Sequence, residues 1–317
     1  MTTGVPESVE ATSARPKGRT PQSPPIAEYV SSADARGGLW RDLVEIVRDY
    51  RDYRELLYQF VLRDIRIRYK QAVMGFGWAV FMPILIVLAG TIVRFAMSYL
   101  SGGQLDGAAV GSIAVKALPW AFFVGAIGFA NTSLVGNTNL VTKIYFPREV
   151  LPIASVLAQA FDTLIGSLAL VVVLPLLGAQ FSLALLWIPL LAVLLFLFTA
   201  AAALFLSAAN LFFRDVKYIV QVVLMFGIFF TPVFYEPAML GDTGAKVMML
   251  NPLAPIVDGF RLAAIEGTGL MTPVVDANGV GVWSPWLLGY SATWAVGGLL
   301  GASLLFHRLE FLFAEYA

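Results

Sequence analysis

A short polar segment lies between two long apolar runs and offers the groups most suited to chemistry. It reads Lys143-Ile144-Tyr145-Phe146-Pro147-Arg148-Glu149. It contains two aromatic rings, an adjacent cation and anion, and a proline that fixes the local backbone. These groups suit a contact that another protein can hold, rather than the making and breaking of bonds. We interpret the segment as the place where a partner acts on this chain.

The sequence contains no recognisable catalytic motif. There is no Gly-x-x-x-x-Gly-Lys-Ser/Thr phosphate loop, no His-Glu-x-x-His and no Gly-x-Ser-x-Gly. Because cysteine is absent, disulfides, thiolate nucleophiles and cysteine metal sites are excluded. The single histidine, His307, stands beside Arg308 after the last apolar run, where a solvated interfacial residue is favoured over a ligand. We predict no catalytic residue, no metal site and no cofactor in this chain.

Four polar residues lie inside apolar runs, namely Arg94, Gln159, Asp162 and Gln221. Asp162 is about three turns from the start of its run at Leu151, at about 1.5 Å of rise per residue. We therefore expect it near the middle of a membrane. Ionisable groups at such depth mark pathways or pairs. Two interpretations stay open for Asp162, an interhelical hydrogen bond and the lining of a polar conduit.

Aromatic residues are frequent in the second and fifth long apolar runs. They are Trp120, Phe122, Phe123, Phe129, Phe226, Phe229, Phe230, Phe234 and Tyr235. Sugar rings rest their C–H faces on aromatic faces, so such a surface could hold carbohydrate without fixing one linkage. Packing against lipid and core is favoured for any single ring, and a carbohydrate role is expected only for a subset. The candidate channel residues are Asp162, Phe122, Phe129, Phe226 and Phe230.

The composition is that of an integral membrane protein. Hydrophobic residues make up 58% of the 317 residues and charged residues 13%, against about a quarter charged in soluble domains. Mean hydropathy is +0.77. The formal net charge is zero, so no attraction to nucleic acid is implied. Residues 1–37 have the composition of a disordered tail, and no secretory signal is found before Met74, so we expect a cytoplasmic N-terminus.

Residues 38–70 have the pattern of an amphipathic helix. Its apolar members recur at steps of three to five and are Leu39, Leu43, Ile46, Tyr50, Tyr53, Leu57, Phe60 and Ile65. The segment runs into Arg63, Arg66, Arg68 and Lys70 before the first long apolar run. We predict a helix that lies flat on the cytoplasmic membrane surface, with an ordinary solvated helix as the alternative.

Six apolar runs within residues 71–317 are long enough to cross about 30 Å of hydrocarbon. They lie near 75–99, 118–141, 151–177, 183–211, 218–235 and 285–306. Cations cluster before the first run, between the second and third, and between the fourth and fifth. The positive-inside rule therefore places both termini and the segment 143–149 in the cytoplasm. The expected fold class is an all-α integral membrane protein with six transmembrane helices.

Between the fifth and sixth runs, residues 237–267 contain two apolar stretches too short to span a membrane. They are broken at Asn251-Pro252 and at Pro255. Such segments fit re-entrant or interfacial helices that cap the outer mouth of the spans. The last run carries a stripe of small residues, Gly289, Thr293, Gly297 and Gly301. The stripe indicates close helix packing, either within this chain or against a second copy.

Several motifs together resemble a known family. They are 66–71 (Arg-Ile-Arg-Tyr-Lys-Gln), 75–78 with Pro83, 145–149 with Leu151-Pro152, 210–216 (Asn-Leu-Phe-Phe-Arg-Asp-Val), and 250–253 with Arg261. In this order they resemble the membrane subunits of ABC-2 type polysaccharide exporters, the Wzm-like permeases of O-antigen, teichoic acid and cell-wall galactan export. The likeness covers roughly residues 40–317, and only the polar tail departs from it. Each motif is weak alone, and their order makes the signal strong.

The resemblance implies a homodimeric permease in a bacterial inner or plasma membrane. Two copies would pair with two copies of a separate ATPase subunit, which would bind ATP and magnesium. A coupling helix at about 143–150, with Tyr145, Phe146, Pro147, Arg148 and Glu149, would sit in a cleft of that ATPase. The surface helix before Lys70 would make a second contact, and Arg214 and Asp215 match a cytoplasmic loop. Residues 237–267, with Asn251, Pro252 and Arg261, would form the outer gate.

The cargo implied by the resemblance is a polyprenyl-pyrophosphate-linked glycan. Pyrophosphate and hydrated glycan are both costly in hydrocarbon, so the path must be protein-lined and gated. Arg66, Arg68 and Lys70 are candidate first contacts for the pyrophosphate, with positive-inside anchoring an equal alternative.

Other function classes remain as alternatives. The runner-up cargo is a drug or small lipid, handled by other ABC-2 permeases. An ion-coupled secondary transporter should show repeats and several titratable groups at mid-membrane. A membrane glycosyltransferase would need acidic metal-binding clusters, and the spaced acids of the outer loop do not form one.

Overall fold

The computed structural model describes residues 38–70, 75, 77–101, 107–144, 146–179, 181–275 and 281–316. Helices dominate this part of the chain, in agreement with the predicted class. They are α1 (Leu39–Asp52), α2 (Arg54–Tyr69), α3 (Gly77–Ser101), α4 (Gly107–Ala130), α5 (Thr138–Lys143), α6 (Val150–Val173), α7 (Trp187–Phe212), α8 (Val216–Gly227), α9 (Gly241–Met249), α10 (Leu253–Arg261), α11 (Pro285–Leu309) and α12 (Phe313–Tyr316). The polar tail 1–37 lies outside the described residues.

Short elements complete the described chain. Single 3₁₀ turns lie at Val135–Asn137, Leu174–Leu177, Leu183–Leu186, Ile228–Phe230, Pro237–Leu240 and Glu310–Leu312, and a π-helical turn at Leu262–Glu266. An antiparallel pair of strands, β1 (Val274–Val275) and β2 (Gly281–Trp283), precedes α11. This hairpin was not predicted, because each strand is too short to carry a recognisable alternation of apolar and polar residues.

Five of the described helices are long and apolar enough to cross a membrane. They are α3, α4, α6, α7 and α11 with their flanking 3₁₀ turns. The run predicted as the fifth span, 218–235, is instead the shorter apolar helix Val216–Phe230 followed by turns. The multi-pass membrane class is therefore supported, and the count of six spans stays a prediction.

The predicted bounds of the second span, 118–141, were wrong. The helix is α4, Gly107–Ala130, which begins eleven residues earlier. Lys116 lies within this helix, although a lysine is costly inside a span. In the structure it is 1% exposed, and its ammonium donates a hydrogen bond to the carbonyl oxygen of Tyr235 at 3.0 Å. A buried acceptor therefore allows the helix to include the lysine.

The amphipathic segment 38–70 forms two helices rather than one. α1 ends at Asp52 and α2 begins at Arg54, with Tyr53 between them at φ −97° and ψ 18°. The apolar residues Tyr50, Leu57 and Phe60 are partly buried against other helices of the chain. Part of the predicted apolar face therefore has a protein partner, and its placement at a membrane surface stays a prediction.

The segment 237–267 folds as two short helices, as its broken pattern predicts. α9 ends at Met249 and α10 begins at Leu253. Asn251 supports the break, because its side-chain oxygen accepts a hydrogen bond from the Leu253 amide at 3.1 Å. Pro252 follows and cannot donate a backbone bond itself. We call residues 250–252 the gate segment.

The two largest of three apolar clusters hold most of the described helices together. The larger lies among α4, α7 and α10, with Trp120, Leu191 and Ile256 in its interior. The second, which we call the loop-side cluster, is built from Phe146, Leu151, Leu204, Phe306 and Phe313 and their neighbours. It packs the segment 143–149 against the ends of α7 and α11. The polar segment is thus fixed to the helix bundle by its own apolar residues.

Candidate functional site

The segment 143–149 is exposed at its beginning and buried at its end. Lys143 is exposed and the side chain of Ile144 is 52% exposed. Phe146 and Glu149, by contrast, are 5% and 3% exposed. The ring centroid of Phe146 lies 5.9 Å from that of Phe60 in α2. Tyr145 lies outside the described residues. Only Lys143 and Ile144 of the described candidate contact are freely accessible to a partner.

The structure corrects the prediction of a coupling helix at about 143–150. α5 ends at Lys143, and the described residues from Ile144 to Glu149 form a bend and a turn before α6. Pro147 explains the break, because it donates no backbone hydrogen bond and disfavours the helical conformation for Phe146. The helical part of this connection therefore lies before the motif that was expected to form it.

Arg148 connects this loop to the end of α11. Its Nε and Nη2 atoms donate to the carbonyl oxygen of Val141 at 3.2 and 3.0 Å. Its Nη1 atom donates to the carbonyl oxygen of Glu310. The Arg148 backbone amide also donates to the Glu310 carboxylate, with 2.9 Å between N and Oε1. One side chain thus joins α5, the loop and the residue that follows α11.

Glu149 is a buried carboxyl with few partners. Tyr50 of α1 donates a hydrogen bond to it, and its Oε1 atom has no partner among the described residues. Burial, with the nearby Glu310 carboxylate, raises the pKa of Glu149 to about 8, although the Tyr50 bond opposes the shift. Burial and Glu149 in turn raise the pKa of Tyr50. Near neutral pH this carboxyl is largely protonated, which suits its apolar surroundings.

A second polar network joins α2 to α6 around Asp162. The Arg68 Nη1 atom donates to Asp162 Oδ2 at 2.6 Å and to Gln159 Oε1 at 2.8 Å. The Tyr69 hydroxyl donates to Asp162 Oδ1 at 2.5 Å. The guanidinium of Arg68 also lies 3.8 Å from the centroid of the Phe129 ring. Asp162 therefore has the partners of an interhelical hydrogen bond, the first of the two interpretations.

Of the three predicted basic contacts, Arg66 and Lys70 are exposed and Arg68 is engaged with Asp162. Arg66 and Lys70 flank a groove of about 390 Å³ that Ile65 and Tyr69 also line. An anionic group could reach both cations there. Among the described residues, Arg68 is ion-paired and Arg66 and Lys70 are not, a distinction that the spacing of the basic residues did not give.

α2 and α6 run in parallel along their contact. The Ser155 hydroxyl donates to Asp64 Oδ2 at 3.1 Å, and one turn further along α2, Arg68 reaches Gln159. The first three turns of α6 therefore lie beside α2.

An aromatic cavity of about 430 Å³ opens among α4, α7, α8 and the gate segment. Of the candidate channel residues, Phe226 and Phe230 line it. The others lie elsewhere, since Phe122 is buried in the core and Phe129 lies under Arg68. Trp120 and Phe123, which belong to the predicted aromatic set but were not channel candidates, also line the cavity, as does Phe198, which was not predicted. The sequence predicted the helices that carry these residues, but not which faces of those helices meet at the cavity.

The gate segment is held by hydrogen bonds on two sides. Asn251 donates to the carbonyl oxygen of Phe230 at 3.1 Å and to the Thr231 hydroxyl at 3.2 Å. From α11, the hydroxyls of Tyr290 and Ser291 donate to the carbonyl oxygens of Leu250 and Pro252, at 2.6 and 2.8 Å. The gate segment is therefore fastened both to the end of α8 and to α11.

Arg261, the third predicted gate residue, lies in a buried ion pair. Its Nε and Nη2 atoms donate to the Asp258 carboxylate at 2.7 and 3.0 Å, and its Nη1 atom donates to Glu266. Arg261 and Asp258 are 2% and 0% exposed. The bidentate pair with Asp258 lies within α10, and the bond to Glu266 joins α10 to the following π-helical turn.

Comparison with known proteins identifies the family. A model of the ABC-2 type transporter family matches residues 55–265, more than half of the chain. The chain belongs to the ABC-2 type transporter family. The resemblance predicted from the motifs is thereby confirmed, and the match covers α2, the loop 143–149, the Asp162 network and the gate segment.

Three curated relatives of this ABC-2 chain are named O-antigen export system permease protein RfbA. Two are from Klebsiella pneumoniae, at 29% identity over 215 residues (68% of this chain, 82% of the relative) and 27% over 214 residues (67% and 81%). One is from Myxococcus xanthus, at 28% identity over 230 residues, covering 71% of this chain and 85% of the relative.

The segment predicted as a cytoplasmic loop of this ABC-2 chain is hydrogen-bonded to the connection between α4 and α5. Arg214 and Asp215 are exposed in the turn between α7 and α8. Asn210, at the start of that turn, donates from its side chain to the carbonyl oxygen of Asn131 at 2.8 Å. The same side chain accepts from the Lys217 amide at 3.2 Å. The turn is thus fixed to the chain that leads from α4 to α5.

Proposed function

We propose that this chain is the transmembrane subunit of an ATP-driven exporter of lipid-linked polysaccharide. The observation that carries the proposal is the match to three O-antigen export permeases over four fifths of their length. Since the sequence has no phosphate loop of its own, ATP would be bound and hydrolysed by a separate subunit. The permease would lie in a bacterial inner membrane with six spans and both termini in the cytoplasm.

The exposed cytoplasmic residues give the ATPase subunit a specific place to dock. Lys143 and Ile144 lie at the accessible end of the loop, and Arg214 and Asp215 are exposed in the turn between α7 and α8. An isoleucine beside a lysine suits a partner cleft with an apolar floor and an acidic rim. The buried residues Phe146 and Glu149 and the half-buried Arg148 would hold this contact in position rather than touch the partner.

A glycan would pass the aromatic cavity and its lipid would stay at the surface. Phe226 and Phe230 offer ring faces to sugar C–H groups. Arg66 and Lys70 offer two cations to a pyrophosphate at the groove beside α2. A second copy of the chain would cover the exposed apolar residues of α3 and α8, which include Met82, Ile92 and Val223.

The proposal is tested by purification and reconstitution. In mild detergent an ATPase subunit should co-purify in equal amount with this chain. In proteoliposomes a polyprenyl-pyrophosphate-linked glycan should stimulate ATP hydrolysis. Stimulation by small lipids alone would favour the runner-up cargo, and transport that needs a proton gradient and no ATPase would contradict the proposal.

The pyrophosphate contact has its own test. Replacing both Arg66 and Lys70 by glutamine should raise the glycan concentration needed for half-maximal stimulation. Arg48→Gln is the control, because Arg48 is an exposed cation paired with Asp52 in α1 and lies away from the groove. An equal effect of the control would show that general surface charge, and not this groove, attracts the lipid.

A further inference from the structure

Helix α11 is hydrogen-bonded near its C-terminal end to the loop 143–149 and near its N-terminal end to the gate segment. At the loop, Arg148 donates from its backbone and its guanidinium to Glu310. We call these two bonds the loop anchor. At the gate segment, Tyr290 and Ser291 donate to the carbonyl oxygens of residues 250 and 252. We call these bonds the gate anchor. Ser291 and Leu309 are about 27 Å apart along the helix, at about 1.5 Å per residue.

The loop anchor is supported by apolar packing. Phe306 and Phe313 are 1% and 0% exposed, and their ring centroids are 4.9 Å apart. Both belong to the loop-side cluster with Phe146. The nearby Arg308 donates to Asp42 of α1 at 2.9 Å. A displacement of the loop must therefore either move the end of α11 or break a buried cluster, and close-packed interiors resist the second.

α11 is suited to transmit such a displacement along its length. It is continuous from Pro285 to Leu309 and contains no proline after its first residue. It packs along α7, where a Cβ atom on Gly298 would lie 3.6 Å from Ala201. An unbroken helix that packs along a neighbour can move as one body, which is how packed elements switch between discrete arrangements.

We propose that α11 is the link that couples movement of the loop 143–149 to the gate segment 250–252, with Glu310 and Ser291 as its positioning residues. The proposal deepens the proposed function and rests on it, because an ATPase subunit is what would move the loop. Neither residue touches cargo or nucleotide. Each acts by holding another element to an end of the same helix, and the family match at residues 55–265 includes neither.

The link is tested first on the purified permease alone, by hydrogen exchange in detergent. Glu310→Ala removes the side-chain acceptor of the loop anchor, whereas Glu310→Gln keeps an oxygen there. Since a hydrogen bond contributes about 1 kcal/mol, we expect amide exchange in α9 and α10 to become about three- to tenfold faster in Glu310→Ala. Glu310→Gln should stay close to the parent protein.

The reverse experiment starts at the gate anchor. A Tyr290→Phe, Ser291→Ala double variant should speed exchange within residues 138–149, because coupling between two sites is reciprocal. Thr293→Ala is the matched control, since the Thr293 hydroxyl donates within its own helix to Gly289 at 2.8 Å. If each variant changes amide exchange only near its own substitution, the proposal is overturned. Because the gate-anchor variant is measured independently, this test holds even if Glu310→Ala is poorly stable.

A second measurement separates this inference from the proposed function. In the reconstituted complex, Glu310→Ala should lower glycan-stimulated ATP hydrolysis, and Glu310→Gln should restore it. If no ATPase subunit binds the chain, the proposed function fails while the exchange result still decides the link. If stimulation is unchanged in Glu310→Ala although exchange at the gate segment rises, the anchors only stabilise the fold and the proposal is wrong.

Discussion

Arg68 donates a hydrogen bond to Asp162 across 2.6 Å, although 94 residues separate them in the sequence. The pair joins the helix before the first span to the third long apolar helix. Both side chains are close to 10% exposed, so neither charge is well solvated. Such a pair is costly to break, because the residue left behind is a buried charge without a partner.

Asp162→Ala should therefore lower stability by about 3–5 kcal/mol. Arg68→Met combined with Asp162→Ala should recover part of this loss, because it leaves no buried charge without its counter-ion. Thermal unfolding in detergent measures both. A double variant no more stable than Asp162→Ala would show that packing at this contact, and not the unpaired guanidinium, sets the cost.

The buried Glu149 predicts a pH dependence. Its pKa is raised from 4.5 to about 8 by burial and by Glu310. Because the folded pKa lies above the unfolded one, its contribution to stability is fully present below about pH 4.5 and is lost as pH rises to about 8. Each pKa unit corresponds to about 1.4 kcal/mol. Tyr50, Asp49 and Glu310 face this carboxyl, so the group titrates with its neighbours.

Glu149→Gln should flatten that dependence and be more stable than the parent protein above about pH 8. Melting temperatures at about pH 5, 6.5 and 8.5 measure the slope. Glu55→Gln is the control, because Glu55 is exposed on α2. Parallel pH profiles for the parent protein and Glu149→Gln would contradict the assignment.

Much of the fold could be predicted from local patterns. Five of the predicted apolar runs are long helices in the structure, although the second helix begins eleven residues before its predicted start. The two short helices around Asn251-Pro252 follow from the proline and from the asparagine beside it. Where a prediction failed, a distant partner decided the outcome. Lys116 lies within α4, where its ammonium donates a hydrogen bond to the carbonyl oxygen of Tyr235, 119 residues later.

The site was harder to predict than the helices. Its motifs identified the family and the loop, but not which residues of the loop are exposed. Arg148 and Glu149 looked like surface charges, and their actual partners are Glu310 and Tyr50, at the two ends of the described chain. Nothing in the spacing of charges around residues 143–149 points to either partner.

Close helix contacts give a stability prediction at Gly111 in α4. A Cβ atom there would lie 2.6 Å from the carbonyl oxygen of Leu177, a backbone atom that cannot rotate away. Gly111→Ala should destabilise the protein by about 1–3 kcal/mol. Gly297→Ala is the matched control, since no atom lies within 4 Å of its Cβ position. Equal melting temperatures for the two variants would contradict this contact.

The accessible and buried ends of the loop 143–149 should respond differently to substitution. Ile144→Asp changes a side chain that is 52% exposed, so the permease should keep its melting temperature and lose its ATPase subunit. Phe146→Ala empties a buried site and should cost about 3–5 kcal/mol. Thermal unfolding and co-purification, measured on both variants, separate the two roles. If Ile144→Asp retains the partner while a Phe146 variant still folds and loses it, the docking surface is the buried half of the loop, and Lys143 and Ile144 are not its contacts.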